Sequence, residues 1–130
     1  MGPYRVMIVD DQKMPRKLFE MIVESSPDYV LAKSIQSAAT ADMYVLSNDI
    51  DLIIMDIVMA DGSNGLDAAE RIKKLRPEIK ILMVTSMPEV SFIERARAAG
   101  VDSFWYKEVE DKPLLDVLGD PIEIKNREVL

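Results

Sequence analysis

The 130-residue chain contains no cysteine and no histidine. The first absence removes disulfides and thiolate metal sites, and the second removes the commonest general base and nitrogen ligand. Any chemistry must therefore run on carboxylates, hydroxyls, amines and backbone groups. No apolar stretch reaches the 18 residues expected of a membrane-crossing helix, so no span is predicted. The start, Met1-Gly2-Pro3-Tyr4-Arg5, lacks the basic segment and apolar stretch of a secretory signal, which points to a cytoplasmic protein. Positive charge is also short: 23 acidic residues face 16 basic ones, for a formal net charge of −7. A uniformly acidic domain binds the phosphate backbone poorly, so direct nucleic-acid binding by these residues is not expected.

What the chain does have is a series of strand-length apolar runs set between amphipathic stretches, with 48% hydrophobic residues and length enough for one domain. After a first strand at Arg5–Val9, Met14, Leu18 and Ile22 recur at i, i+4 and i+8, with Phe19 and Val23 beside them. That spacing predicts a helix over about 13–25, with Pro15 suited to its first turn. Tyr29–Ser34 reads as a second strand, and Ser37 can cap a second helix running to Leu46. Leu52–Met55 is the third strand, and Ala60–Gly65 is a loop by composition. Ala68, Ile72 and Leu75 mark the inner face of a third helix that stops before Pro77. Lys80–Thr85 is the fourth strand. Pro88-Glu89 opens a fourth helix with Phe92, Ile93, Ala96 and Ala99 inward, closed by Gly100. Asp102–Tyr106 is the fifth strand and Asp111–Leu118 a short last helix. Strict alternation of strand and helix predicts a parallel sheet covered on both faces. Met55 and Met83, inside apolar runs, read as flexible core filler.

Four of the apolar runs end in chemically useful residues. The first runs into Asp10 and Asp11, the third into Asp56, the fourth into Thr85 and Ser86, and the fifth into Lys107. In an open parallel sheet these ends share one rim, where such folds bind ligands. Taken singly, each residue has an ordinary explanation. Asp10 or Asp11 would cap a helix, Asp56 would be a loop acid, Thr85 or Ser86 would cap the fourth helix, and Lys107 would be a solvated edge lysine. Their joint occurrence on four strand ends favours a site. Clustered carboxylates repel unless a cation neutralises them, and with oxygen ligands alone the suitable cation is hard: Mg2+, or Mn2+ as the alternative. Asp10 and Asp11 are placed to hold metal. Asp56, alone at the end of a central strand, is the best candidate for a covalent phosphoryl acceptor. Lys107 adds a charge for a phosphoryl oxygen and Thr85 a short donor, which together describe phosphoryl transfer.

These residues resemble the receiver domain of bacterial two-component response regulators, over residues 4–119. The likeness rests on Val9-Asp10-Asp11-Gln12, Ile53-Ile54-Met55-Asp56-Ile57-Val58-Met59, Val84-Thr85-Ser86, Ala99-Gly100-Val101-Asp102 and Phe104-Trp105-Tyr106-Lys107. Thr85 precedes Gly100 by fifteen residues and Lys107 by twenty-two, as in that family. The resemblance implies a flavodoxin-like (CheY-like) doubly wound α/β fold with a five-stranded parallel sheet in the order 2-1-3-4-5 and five helices. It implies that Asp56 accepts the phosphoryl group from a histidine kinase, small acyl phosphates serving as artificial donors. Asp11, Asp56 and the backbone carbonyl of Val58 would ligate Mg2+, with Asp10 acting partly through water. Lys107 would pair with the acceptor and then with its phosphoryl group. Thr85 would turn inward to that group and let Phe104 rotate, coupling the site to the face of the fourth helix, fifth strand and last helix. The chain would be a switch that catalyses only its own phosphorylation and dephosphorylation, with a phosphorylation-dependent homodimer as one form of output.

Two other aspartate-based readings are weaker. A haloacid-dehalogenase-like phosphohydrolase wants Asp-x-Asp on its first strand, whereas Asp10 and Asp11 are adjacent. A degenerate receiver acting only as a binding module would not need the full set of Asp10, Asp11, Asp56, Thr85 and Lys107. A flavodoxin-like electron carrier is disfavoured because the first strand-to-helix turn is acidic where a flavin phosphate would sit. The family pattern is broken in places. Ala60 stands where many members have Pro, and the loop to Gly65 is one residue longer. Glu108 follows Lys107 in place of Pro, which resembles the NarL-type subfamily with its helix-turn-helix DNA-binding domain. Asn126-Arg127-Glu128-Val129-Leu130 resembles the opening of that second domain, so residues 120–130 are expected to be a linker or the start of a truncated DNA-binding domain. Val58 and Met87 flank the acceptor and the threonine; both are apolar and position no water. A long-lived phosphoryl group is therefore expected, its decay followed after removal of the donor; a half-life of seconds would contradict this.

Overall fold

The computed structural model describes residues 2–86, 89–107 and 113–117. Five parallel strands form one sheet: β1 (Tyr4–Val9), β2 (Tyr29–Ile35), β3 (Leu52–Asp56), β4 (Lys80–Thr85) and β5 (Ser103–Tyr106), in the order β2-β1-β3-β4-β5. Strand order reverses between β1 and β3, so the first two carboxylates and the third approach each other from neighbouring strands. All five residues of β3, Leu-Ile-Ile-Met-Asp, are buried, as a central parallel strand with both faces covered requires.

Side chains alternate across the sheet and build two cores. On one face Met7, Val9, Ile53, Met55, Ile81, Met83, Phe104 and Tyr106 meet α2 (Ala41–Ser47), α3 (Gly65–Leu75) and α4 (Val90–Ala99). On the other, Val6, Ile8, Ile54, Leu82 and Val84 meet Phe19 and Val23 of α1 (Lys13–Glu24) and Leu114. Phe19 packs edge-on to Trp105, with centroids 6.3 Å apart.

The first helix falls where expected, and three other expectations from sequence need correction. The inner face of α1 is carried by Phe19 and Val23, while Met14 is 77% and Leu18 51% exposed. Apolar residues occupy two adjoining stripes of this helix, and the one with Phe19 and Val23 is the one buried where α1 packs on β1 and β2. Leu75, in the last turn of α3, is 46% exposed, whereas Ile79 beyond Pro77 is fully buried. The second helix begins as a 3-10 turn at Ala38–Thr40, with Ser37 Oγ accepting from the Ala39 N–H, before α2 proper. The expected fifth α-helix is, among the described residues, a 3-10 turn at Leu114–Val117 closed by the Asp116 N–H donating to Pro113 O at 3.0 Å. The described chain thus has four α-helices. The proposed roles of Met87, Pro88, Glu108 and residues 120–130 lie outside the described residues.

Two glycines have a geometric reason. Gly100 ends α4 at φ 87°, in the left-handed region, and its N–H closes on Ala96 and Arg97 carbonyls. Gly65 begins α3 against the end of β3: a Cβ there would overlap the Asp56 carbonyl oxygen, while its N–H donates to Ile57 O at 2.7 Å. That close approach fixes where the chain leaves Asp56, and hence where its carboxylate lies.

Candidate phosphoryl-acceptor site

The end of β1 delivers Asp10 fully buried and Asp11 half-buried, and the end of β3 delivers Asp56, 7% exposed. One carboxylate oxygen from each lies within 4.8 Å of the others. Asp10 Oδ1 accepts the Gln12 N–H at 2.9 Å, a short loop that clamps the carboxylate against its own backbone. Asp10 O accepts from the Arg16 guanidinium at 2.9 Å. Asp11 Oδ2 accepts the Ala60 N–H at 2.6 Å, and Asp56 Oδ1 accepts the Ile57 N–H at 2.9 Å.

Lys107, at the end of β5, places its Nζ 3.4 Å from Asp10 Oδ2 and 3.5 Å from Asp56 Oδ2. Its own N–H donates to Thr85 O at 2.9 Å, which ties the end of β5 to the end of β4. Thr85 is 2% exposed, at the carboxyl end of β4. Phe104 is buried among the core residues and stacks at a tilt on Tyr106, centroids 5.2 Å apart. Val58 follows the acceptor strand with an exposed side chain and forms an isolated antiparallel bridge with Asn64. The structure therefore brings Asp10, Asp11, Asp56 and Lys107 into one cluster; Thr85 is joined to it through the Lys107 backbone, Val58 follows the acceptor strand, and Phe104 is a core residue of β5.

Burial holds the Asp56 carboxyl up at about 6, against 3.8 for the free side chain. Lys107 opposes that shift, the Asp10 charge adds to it, and the Ile57 N–H opposes it. One ammonium does not neutralise three carboxylates. An all-oxygen donor set with an excess of negative charge suits a hard divalent cation. Oxygens on one octahedral Mg2+ lie about 3–4 Å apart, given bonds of about 2.0–2.1 Å. The three carboxylates are already close to that spacing.

Sequence reasoning missed three contributors. Arg16 was readable as an anomaly: α1 carries Lys13 and Arg16 near its start and no acid in its first turn, against the preference of a helix N-terminus. Its place is explained by the Asp10 carbonyl and by Glu20, itself held by the Ser34 hydroxyl at 2.6 Å. Gly65 was named only as a loop end. The Ala60 amide carries no signal in its side chain.

The family model described as "Response regulator receiver domain" matches residues 6–119. Response regulator protein VraR of Staphylococcus aureus (strain NCTC 8325 / PS 47) is 34% identical over 114 residues, which is 88% of this chain and 54% of VraR. The chain thus spans about half the length of the curated relatives it matches. A CheY-like receiver domain protein from Methanospirillum hungatei JF-1 superposes with a TM-score of 0.77 at 26% identity, over 88% of this chain and 89% of that one. A LuxR-family DNA-binding response regulator from Staphylococcus aureus shares the fold, with a TM-score of 0.75 at 24% identity over 82% and 88% of the two chains.

The raised Asp56 carboxyl has a consequence for stability. The folded state holds the proton more tightly than the unfolded chain, so this group weakens the fold as pH rises from about 4 through 6. The full effect is present at neutral pH, and a shift of this size corresponds to roughly 3 kcal/mol. Asp56→Asn should therefore raise the denaturant midpoint of the metal-free protein at pH 7.5, with the gain shrinking toward pH 4. Equal midpoints for the two proteins at pH 7.5 would contradict the assignment.

Proposed function

The chain belongs to the response regulator receiver family, and from that premise we propose that Asp56 is the phosphoacceptor of a two-component switch. The phosphoryl group would come from a histidine kinase. An Asp56 carboxylate oxygen attacks phosphorus, the bond from phosphorus to the donor imidazole breaks, and the imidazole keeps the electron pair and is protonated. The product is an acyl phosphate on Asp56.

The observation that carries this reading is the convergence of Asp10, Asp11, Asp56 and Lys107 within ion-pair distance at one rim. Asp11, Asp56 and the Val58 carbonyl would hold Mg2+, with Asp10 acting partly through water. Bound there, Mg2+ supplies the positive charge that lets an anionic donor approach an acidic site. Lys107 already bridges Asp10 and Asp56, so its ammonium can follow the developing charge from the carboxylate to the phosphoryl oxygens. Thr85 lies on the neighbouring strand end, where a turn of its hydroxyl toward the new dianion would vacate space for Phe104. Each of these is a small local change that biases a packed element with two arrangements.

Residues 4–119 would constitute this receiver. Residues 120–130 would lead toward a helix-turn-helix DNA-binding domain, which would give a cytoplasmic transcriptional regulator and leave room for a phosphorylation-dependent dimer. Among the described residues no helix is long and apolar enough to cross a membrane.

Incubation with acetyl phosphate and Mg2+ should add one phosphate to the intact protein by mass. The addition should vanish when the cation is chelated and in Asp56→Asn. Absence of the addition, or its persistence in Asp56→Asn, would defeat the reading.

A further inference from the structure

The loop that follows the acceptor is longer than the family pattern and lacks its proline, yet it is tightly organised. Asp61 Oδ2 accepts from the Ser37 hydroxyl at 2.5 Å, and Asp61 Oδ1 accepts from the Ser63 N–H at 2.9 Å and the Ser63 hydroxyl at 2.6 Å. Ser63 Oγ in turn accepts the Ala38 N–H at 3.2 Å, and Ser37 Oγ accepts the Ala39 N–H at 3.1 Å. Two of these hydrogen bonds, from the Ser37 hydroxyl to Asp61 and from the Ala38 N–H to Ser63, clasp residues 61–63 to the turn that leads into α2, and the other three brace the two segments internally. Individually such bonds at the surface contribute little to stability. Collectively they fix the chain on one side of Ala60, while the Val58–Asn64 bridge and the Gly65 N–H on Ile57 O fix it from the other.

What lies between is the Ala60 N–H, and it donates to Asp11 Oδ2 at 2.6 Å. A proline at position 60 has no such hydrogen to give. Asp11 is the most solvent-accessible of the three clustered acids, so nothing buries it into its orientation as Asp10 is buried.

We propose that the Ser37–Asp61–Ser63 clasp is a positioning device: it holds the Ala60 amide in place, and that amide orients Asp11 toward the cation. This rests on the reading of Asp11 as a metal-holding residue. Asp61 touches neither cation nor phosphoryl group; it acts through the backbone at Ala60. Hydrogen-bonded partners that orient a metal ligand typically change metal affinity by about 10–100-fold when removed. An exposed amide partner belongs at the lower end of that range.

The test is the Mg2+ dissociation constant of the phosphate-free protein, measured by titration calorimetry, for the wild type, Asp61→Ala, Asp61→Asn and Ala60→Pro. Asp61→Ala should weaken Mg2+ binding by about tenfold. Asp61→Asn, whose amide oxygen still accepts from Ser63, should recover much of the loss. Ala60→Pro removes the donor and leaves the clasp, and should weaken binding like Asp61→Ala. Denaturant midpoints close to wild type would show that the variants fold. In folded variants, unchanged Mg2+ affinity in Asp61→Ala overturns the proposal. So does weakening in Asp61→Ala without weakening in Ala60→Pro, because the effect would then not run through the amide. Phosphorylation of the wild type by acetyl phosphate separates the two levels. If Asp56 is phosphorylated but the affinities do not move, the clasp fails alone; if Asp56 is never phosphorylated, the functional reading fails as well.

Discussion

Burying carboxylates without enough counter-charge is the constraint around which this fold is arranged. Asp10 is fully buried and Asp56 nearly so, at the ends of adjacent central strands, and among the described residues a single ammonium, Lys107, reaches both. Burial disfavours the charged form of Asp56 and the neighbouring Asp10 charge adds to that, so the Asp56 carboxyl is raised although Lys107 opposes the shift. The surroundings relieve it only in part. Backbone N–H groups at Gln12, Ile57 and Ala60 each give one bond to a carboxylate, and Arg16 gives one to the Asp10 carbonyl. What remains is a deficit of positive charge that a hard divalent cation and a phosphoryl donor can use.

The same constraint explains why the site is coupled to the sheet. Lys107 reaches the acids from a backbone whose own N–H is pinned to Thr85 O across the β4–β5 edge. Phe104 and Tyr106 of the same strand stack on each other, buried in the core cluster that includes α3 and α4 residues. In the proposed switch, a change of charge on Asp56 would act on a lysine and a threonine whose backbones are joined, next to buried aromatic rings. Tight packing makes such a region respond by switching between arrangements more readily than by deforming smoothly.

Much of this was legible in the sequence, and for physical reasons. Central parallel strands are apolar on both faces, so Leu52–Met55 and Lys80–Thr85 stand out, and whatever ends them must lie on the rim. That alone gathers Asp10, Asp11, Asp56, Thr85 and Lys107. Helix faces were harder. In α1 the stripes Met14-Leu18-Ile22 and Phe19-Val23 are both apolar, and only the packing of the helix on β1 and β2 buries the second fully while leaving Met14 and Leu18 exposed. Leu75 obeys the helical period yet sits in a last turn with little over it. Least legible were the backbone donors: the Ala60 amide on Asp11 has no letter in the sequence, and the Ser37–Asp61–Ser63 clasp joins residues that read separately as a cap and a turn.

The central claim is that burial and carboxylate repulsion hold Asp56 out of its normal ionisation range until a cation arrives. A carbon-13 NMR titration of the Asp56 side-chain carboxyl, with and without Mg2+, tests it most directly. The account predicts a midpoint near pH 6 without the cation, moving clearly downward when Mg2+ is added. A midpoint near 4 in the absence of Mg2+, or one that ignores the cation, would contradict it.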